Sequence, residues 1–184
     1  WVRCPDPTAL LNATIFFDLR PLYGDAALGA ALRAEILRLT VDTPAFLHLM
    51  SINALQVSPP LGFLGDVAVD DAETVDLKKL GSRIFVDVAR ILSLAVGTPS
   101  VNTFERLHEA GVAASMKPHE IASAQAALGH ILRLRLVAQA ATENGAEVTG
   151  FKPADLHDMD RVILKESLRQ ARRLQQRLKL NYSL

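Results

Sequence analysis

The chain has 184 residues, 49% of them hydrophobic, and its 20 Lys and Arg residues balance its 20 Asp and Glu residues. This length and composition favour one domain with a substantial core. The neutral charge excludes a strong overall attraction to nucleic acid or to a membrane surface. The single cysteine cannot form an internal disulfide, which fits a reducing cytoplasm, and no apolar run approaches the roughly 18 residues of a membrane span.

The N-terminal segment predicts a linker followed by a helix. Residues 1–7 contain two prolines and no initiator Met, and we interpret them as a linker from an upstream domain. Residues 8–180 are expected to form a single helical domain, with Thr8 as the first N-cap. The first helix should stop at Arg20, because the residue before a proline is driven out of the helical region.

Six further helices are predicted from cap residues and helical periodicity. Asp25 should cap the second helix, Pro44 should open the third, and Gly97 should close the fourth. Asn102 or Thr103 should start the fifth. The fifth helix is expected to end at Gly111. The sixth helix should span 118–143, after Lys117-Pro118. The last helix should span about 156–178, after a turn at Asn144-Gly145.

The second helix is expected to turn its leucines and isoleucine toward the core and Arg33, Glu35 and Arg38 toward solvent. Its predicted inward residues are Leu28, Leu32, Ile36 and Leu39. The last helix should bury Leu156, Met159, Ile163, Ser167, Ala171, Leu174 and Leu178. Residues 61–79 do not have a helical pattern, and the alternation at Val67 and Val69 is compatible with a short β-hairpin near 66–76. The predicted fold is an all-α, up-and-down bundle of about six to seven helices.

Known catalytic motifs fail on their spacing. His108-Glu109 and His119-Glu120 lack the second histidine of an HExxH zinc site. No glycine-rich phosphate loop occurs. Gly81-Ser82 could open a nucleotidyltransferase site, but the required pair of metal-binding carboxylates does not follow it. We therefore expect no enzyme activity, no cofactor and no metal site in this domain alone.

Charged residues among apolar helix positions are the main functional signal. On the sixth helix, Leu128 and Ile131 continue at helical spacing to Arg135 and Gln139. A buried guanidinium needs a carboxylate, an oxyanion or several carbonyl groups, because an unpaired buried charge is costly. Asp18, Asp76 and Asp87 are the available carboxylates, and Asp87 lies three residues before Arg90 on the fourth helix.

Two interpretations of these polar residues remain open. They form salt bridges that fix the register of the bundle, or they leave an excess of positive charge that binds a phosphate or carboxylate. The candidate cluster comprises Asp18, Arg20, Asp76, Lys78, Arg90, Asn102, Arg106, Arg135 and Gln139.

Several ordered motifs carry a family resemblance. They are FFDLRPLYGD at 16–25, PPLGFLGD at 59–66, DLK at 76–78, AR at 89–90, NTFERL at 102–107, LRLVAQ at 134–139 and LKESLRQARRLQQRL at 164–178. Together they resemble the nucleotidyltransferase substrate-binding domain family of bacteria, over almost the whole chain.

The resemblance implies a cytoplasmic signalling protein in which this domain follows a nucleotidyltransferase-like domain, often with cyclic-nucleotide-binding and CBS domains upstream. It implies a non-catalytic accessory domain that helps to hold a nucleotide or protein substrate. The alternative is a structural module that forms a homodimer or docks on the catalytic domain. Neither interpretation involves a membrane or nucleic acid.

Overall fold

The computed structural model describes residues 2–3, 10, 14–63, 65–141 and 150–184, and the fold within these ranges is an all-α helical bundle, as the sequence predicts. Its six α-helices are α1 (Ala26–Val41), α2 (Pro44–Ala54), α3 (Arg83–Val96), α4 (Thr103–Ala113), α5 (Pro118–Ala140) and α6 (Asp158–Tyr182). Shorter turns lie at Thr14–Asp18 and Pro153–Asp155, both 3-10 helical, and at Lys78–Ser82, which is π-helical. No helix in the described part of the chain combines the length and apolar character needed to cross a membrane.

Helix α3 lies at the centre of the bundle. It contacts α1, α2, α4 and α6, and residues on nearly all of its sides are buried. Those buried residues are Ile84, Phe85, Val88, Ala89, Arg90, Ile91, Leu92, Ser93 and Leu94. A helix that is buried all round can present a charged residue to the interior only if partners from neighbouring elements reach it. Arg90 is that residue.

Local cap chemistry places the helix ends largely as predicted. The Asp25 carboxylate accepts a hydrogen bond from the Ala27 amide at 2.8 Å, and Asn102 accepts from the Phe104 amide at 2.9 Å. Gly97 ends α3 in the left-handed region with φ of 71°, where a side chain would be strained. These contacts satisfy backbone groups that a helix end leaves unpaired.

Helix α4 does not end at Gly111 as predicted, but continues to Ala113. Gly111 serves close packing rather than termination, because a β-carbon there would lie 2.9 Å from Cγ1 of Ile121 at the start of α5. Gly129 in α5 offers a contrast, since its β-carbon would meet nothing nearer than a Phe104 ring carbon at 4.0 Å.

These two glycines give a matched prediction. Gly111→Ala should lower the free energy of unfolding by about 1 kcal/mol or more, because the cost of overpacking exceeds the gain in helix propensity. Gly129→Ala should raise it by up to about 1 kcal/mol, because only the propensity gain applies. Urea denaturation of both variants beside the wild type measures the difference, and equal shifts of the same sign would contradict the close crossing of α4 and α5.

The buried faces predicted for α1, the second helix of the sequence analysis, and for α6, the last helix, are partly wrong. Leu28 and Leu32 are exposed, whereas Arg33, Leu37 and Thr40 form the buried face of α1. On α6, Met159 and Ile163 are exposed, and the buried residues are Leu164, Ser167, Leu168, Ala171, Leu174, Gln175 and Leu178. The α1 face is shifted because Arg33 finds buried hydrogen-bond acceptors, which a count of apolar residues does not detect.

The β-hairpin near 66–76 does not form. Val67 pairs with Leu61, and Val75 pairs with Phe151, in two isolated antiparallel bridges. Between them the Asp70 carboxylate accepts hydrogen bonds from the Ala72 and Thr74 amides, at 3.0 and 2.8 Å. This side-chain turn satisfies backbone groups that a hairpin ladder would otherwise use.

The N-terminal segment is only partly described. Of the predicted first helix, Leu10 is α-helical and residues 14–18 form a 3-10 helix that ends before Arg20 and Pro21. The linker prolines, the Thr8 cap, the Asn144-Gly145 turn and the predicted end of α5 at Glu143 lie outside the described residues. Phe17 is buried and packs against Phe46 of α2, with ring centroids 5.4 Å apart.

Candidate functional site

Three arginines from three helices converge on the end of the Thr14–Asp18 turn. We call the group formed by Arg33, Arg90, Arg106, Asp18 and Asp87 the arginine cluster. Arg90 donates to Asp18 at 2.5 Å through Nη2 and to Asp87 at 2.9 Å through Nη1, and Arg106 donates to the other oxygen of Asp18 at 2.5 Å. One carboxylate therefore joins α3 and α4 to the N-terminal segment.

Backbone carbonyl groups complete the arginine cluster. Arg106 Nη2 donates to the carbonyl of Phe17 at 2.9 Å, and its Nε donates to the carbonyl of Ser100 at 2.8 Å. Arg33 also donates to the carbonyl of Phe17 and reaches the carbonyls of Pro99 and Ser100 at 3.2 and 3.0 Å. The planar guanidinium group supplies several donors in fixed directions, which suits this arrangement of acceptors.

Burial and the charges of the cluster shift three pKa values. The pKa of Arg33 is lowered, by burial first and by the positive charge of Arg106 second, and the charge of Asp18 offsets only part of this. Burial of Asp18 acts to raise the pKa of its carboxyl group, but the hydrogen bonds and charges of Arg90 and Arg106 outweigh burial and hold that pKa below its usual value. Burial acts to lower the pKa of Arg90, and its bonds to Asp18 reverse the effect, with a smaller contribution from Asp87. Both residues are therefore charged at neutral pH.

A cleft of about 610 Å3 opens beside the arginine cluster, with Arg90 and Asp87 in its wall. Of its charged lining residues, five are cationic and two are anionic. The lining residues are Thr14, Asn53, Asp76, Lys78, Lys79, Ser82, Arg83, Val86, Asp87, Arg90 and Arg135. We call it the cationic cleft, because the excess of positive charge favours anions.

The π-helical turn brings the two walls of the cationic cleft together. Gly81 approaches α5 closely, because a β-carbon on it would lie 3.3 Å from Cγ2 of Ile131. Arg135 lies one helical turn after Ile131 and donates to the Ser82 hydroxyl at 2.8 Å. The Asp76 carboxylate accepts from the Lys79 amide at 2.8 Å and fixes the start of the turn. Single π-helical turns often occur at functional sites.

The structure separates the residues that the sequence grouped together. Asp18, Arg90 and Arg106 lie in the arginine cluster, and Asp76, Lys78, Arg90 and Arg135 line the cationic cleft. Three others belong to neither group. Arg20 and Gln139 are exposed, and Asn102 caps α4. Gln139 lies beyond Leu134, which is the last buried residue of α5, and the end of this helix contributes no buried residue to the core.

Sequence reasoning places one residue of the site on the wrong face of its helix and does not identify three others as site residues. Periodicity predicts Arg33 on the outer side of α1, although the spacing of Arg33, Leu37 and Thr40 is itself a helical stripe. Lys79 and Arg83 are not among the predicted site residues, and Ser82 is considered only within the rejected Gly81-Ser82 motif. They follow the DLK segment directly, and that position was the available signal.

The site is suited to anions. Within the described ranges, no three His, Cys, Asp or Glu side chains lie close enough together to hold a metal ion. Arginine and lysine side chains, a hydroxyl group and an open cleft can instead bind phosphate or carboxylate groups. The fold and this cleft define an all-α bundle with a cationic ligand-sized opening, which is a binding architecture.

Comparison with known protein families identifies this class of domain. The chain matches the family model "Putative nucleotidyltransferase substrate binding domain" over residues 44–182, and it belongs to that family. No curated protein and no solved structure matches it. The matched range contains the π-helical turn and Arg135, whereas Asp18 and Arg33 lie before it.

Proposed function

We propose that this chain is a non-catalytic accessory domain that holds an anionic group of the substrate for a nucleotidyltransferase domain in the same protein. The observation that carries the proposal is the cationic cleft, where cationic side chains outnumber carboxylates five to two. Family membership supports an associated nucleotidyltransferase and a substrate-binding role. The substrate is a nucleotide or a protein that presents a phosphate or carboxylate.

Arg135 is the central residue of the proposed anion site. It is partly buried, and its Nη1 uses one hydrogen to reach the Ser82 hydroxyl, a neutral acceptor. A guanidinium group has five N–H donors. Among the described residues Arg135 forms no ion pair with a carboxylate. A phosphate oxygen would give it the charged partner that a partly buried guanidinium favours.

The wider context of the proposal follows from the motifs that carry the resemblance. We place the domain in a bacterial, cytoplasmic signal-transduction protein, after a nucleotidyltransferase-like domain and in company with CBS and cyclic-nucleotide-binding domains. In that arrangement residues 1–7 connect the domain to the upstream part of the protein.

Substitution of Arg135 tests the proposed site. Arg135→Gln should weaken binding of inorganic pyrophosphate by at least about tenfold, because a hydrogen bond to a charged group contributes about 1.5–3 kcal/mol. Isothermal titration calorimetry at low ionic strength measures the affinity, and the melting temperature with and without pyrophosphate provides a second measurement.

Arg133→Gln is the matched control. Arg133 lies on the same helix, is exposed, and pairs with Asp160 outside the cleft. Arg133→Gln removes the same positive charge as Arg135→Gln, and the affinity for pyrophosphate should stay nearly unchanged. Equal losses in the two variants, or no loss in Arg135→Gln, would count against the proposed site.

A second function is favoured by a separate surface. An apolar groove of about 380 Å3 lies between the N-terminal segment and α1, and two of its lining residues, Phe16 and Leu32, are exposed. Its lining residues are Val2, Arg3, Phe16, Phe17, Leu19, Leu32, Ile36 and Leu39. Such a surface suits a structural module that forms a homodimer or docks on the catalytic domain. Light scattering distinguishes the two forms, because only the homodimer doubles the mass of the isolated chain.

A further inference from the structure

An internal carboxylate occupies part of the cationic cleft. Asp87 lines the cleft and is 19% exposed. Its Oδ2 accepts from Nε of Arg83 at 3.2 Å, and its Oδ1 accepts from Nη1 of Arg90 at 2.9 Å. Asp87 therefore holds two of the cleft's three guanidinium groups.

As a result, some cationic side chains of the cleft are already paired with carboxylates, and others are able to bind an anion. Arg90 is also bound by Asp18, so two carboxylates already surround it. Arg135 is bonded instead to the neutral Ser82 hydroxyl, and within the described ranges Lys79 forms no ion pair. An anion that enters the cleft meets Asp87 paired with the guanidinium groups of Arg83 and Arg90, whereas the Asp76 carboxylate is bonded to the Lys79 amide and pairs with neither the Lys79 ammonium nor Arg135.

We propose that Asp87 determines the specificity of the cleft by acting as an internal competitor for anions. It confines the anionic group of the ligand to Arg135, Lys79 and Ser82. The remainder of the ligand, which faces Asp87, is neutral or donates hydrogen bonds. The inference rests on the proposed function and names its ligand class: a molecule whose negative charge is confined to one compact group no larger than pyrophosphate, and not an extended polyanion.

Simple electrostatics gives the size of the effect. Two like charges a few ångströms apart near a protein surface repel each other, and the repulsion is stronger there than in bulk water. An Asp87→Asn substitution removes this repulsion and keeps the side-chain shape. The affinity for pyrophosphate should therefore rise about five- to tenfold, and not more, because the cleft is open to solvent and salt, which screen the repulsion.

The chain provides a closely matched control for this experiment. Asp42 accepts from Arg38 four residues earlier at 3.3 Å, just as Asp87 accepts from Arg83 four residues earlier at 3.2 Å. Asp42 does not line the cleft. Asp42→Asn changes the net charge by the same amount, and the pyrophosphate affinity should stay at the wild-type value. A rise in both variants would show an effect of net charge alone and would overturn the proposal.

A double variant tests the same idea from the other side. Arg83→Gln with Asp87→Asn removes one cation and one anion together, and the affinity should return close to the wild-type value. Arg90 keeps its bond to Asp18 in both variants, and circular dichroism checks that each variant is folded. Asp87→Asn affinity equal to or below that of the wild type would overturn the inference.

The outcomes separate this inference from the proposed function. In one outcome pyrophosphate binds the wild type, Arg135→Gln lowers the affinity and Asp87→Asn does not change it. This result would support the anion site and overturn the role of Asp87. If pyrophosphate binds neither the wild type nor Asp87→Asn, both proposals fail. Binding that becomes measurable only in Asp87→Asn supports the competitor role, and Arg135→Gln in that background then tests the site.

Discussion

Replacing Arg106 with methionine is expected to lower the free energy of unfolding by about 3–5 kcal/mol, the cost of removing one partner from a buried ion pair. Arg106 is 1% exposed and is among the largest fully buried side chains. Methionine fills part of its volume, but Asp18 and the carbonyls of Phe17 and Ser100 each lose one donor, and only their bonds to Arg90 and Arg33 remain. Hydrogen bonds from a charged donor contribute more than neutral ones, and this variant loses three of them at once in a buried site.

Chemical denaturation with urea measures this loss, provided that the slope of the transition is unchanged. Arg38→Met is the control, because Arg38 is 55% exposed and pairs only at the surface with Glu35 and Asp42. Its loss should be small beside that of Arg106→Met, because solvent screens an exposed ion pair. Arg106→Lys should also be markedly destabilised, since one ammonium group cannot reach the three acceptors that the guanidinium fork serves. A loss of less than 1 kcal/mol in Arg106→Met would show that the cluster is not a structural tie.

The features that the sequence predicts well depend on local chemistry. Asp25 and Asn102 have side chains that cap a helix within two or three residues, and Gly97 supplies a left-handed residue at a helix end. Pro44 opens α2 because it needs no amide hydrogen there. None of these effects needs a partner that is distant in the sequence.

The burial of Arg33 could not be derived in the same way. Its acceptors are the carbonyls of Phe17, Pro99 and Ser100, as many as 67 residues away in the chain. Hydrophobic periodicity assigns the apolar Leu28 and Leu32 to the core, but both are exposed. Long-range hydrogen bonds therefore decide the orientation of α1, and they are known only once the fold is known.

The hydrogen-bond partner of Arg135 in the cleft is a second feature that the sequence does not predict. The sequence correctly raises the question of which groups surround Arg135, but its carboxylate candidates do not include the observed partner, Ser82. Ser82 reaches Arg135 because the chain enters α3 through a π-helical turn, whose extra residue per turn changes which side chains face α5. The pattern of apolar residues over 78–82 is too short to distinguish that turn from an ordinary helix start.

Asp18→Asn should lower the free energy of unfolding at neutral pH by about 2 kcal/mol. The amide keeps the shape of the carboxylate but leaves Arg90 and Arg106 without their shared counter-ion. The expected loss is below the roughly 3–5 kcal/mol of a fully buried pair, because the Asp18 side chain is 35% exposed and solvent screens part of the interaction.

The loss caused by Asp18→Asn should depend on pH in a defined direction. The pKa of Asp18 is lower in the folded chain than in the unfolded chain, because its bonds to Arg90 and Arg106 outweigh burial. The stabilisation is therefore complete above the unfolded-state pKa of about 4 and is lost as the pH falls through the folded-state pKa. Urea denaturation at a series of pH values should show a constant gap between wild type and Asp18→Asn near neutrality, and a narrowing gap below about pH 4. A gap that stays constant into acid would mean that the charge of Asp18 does not hold the N-terminal segment to the bundle, and that its shape and packing do.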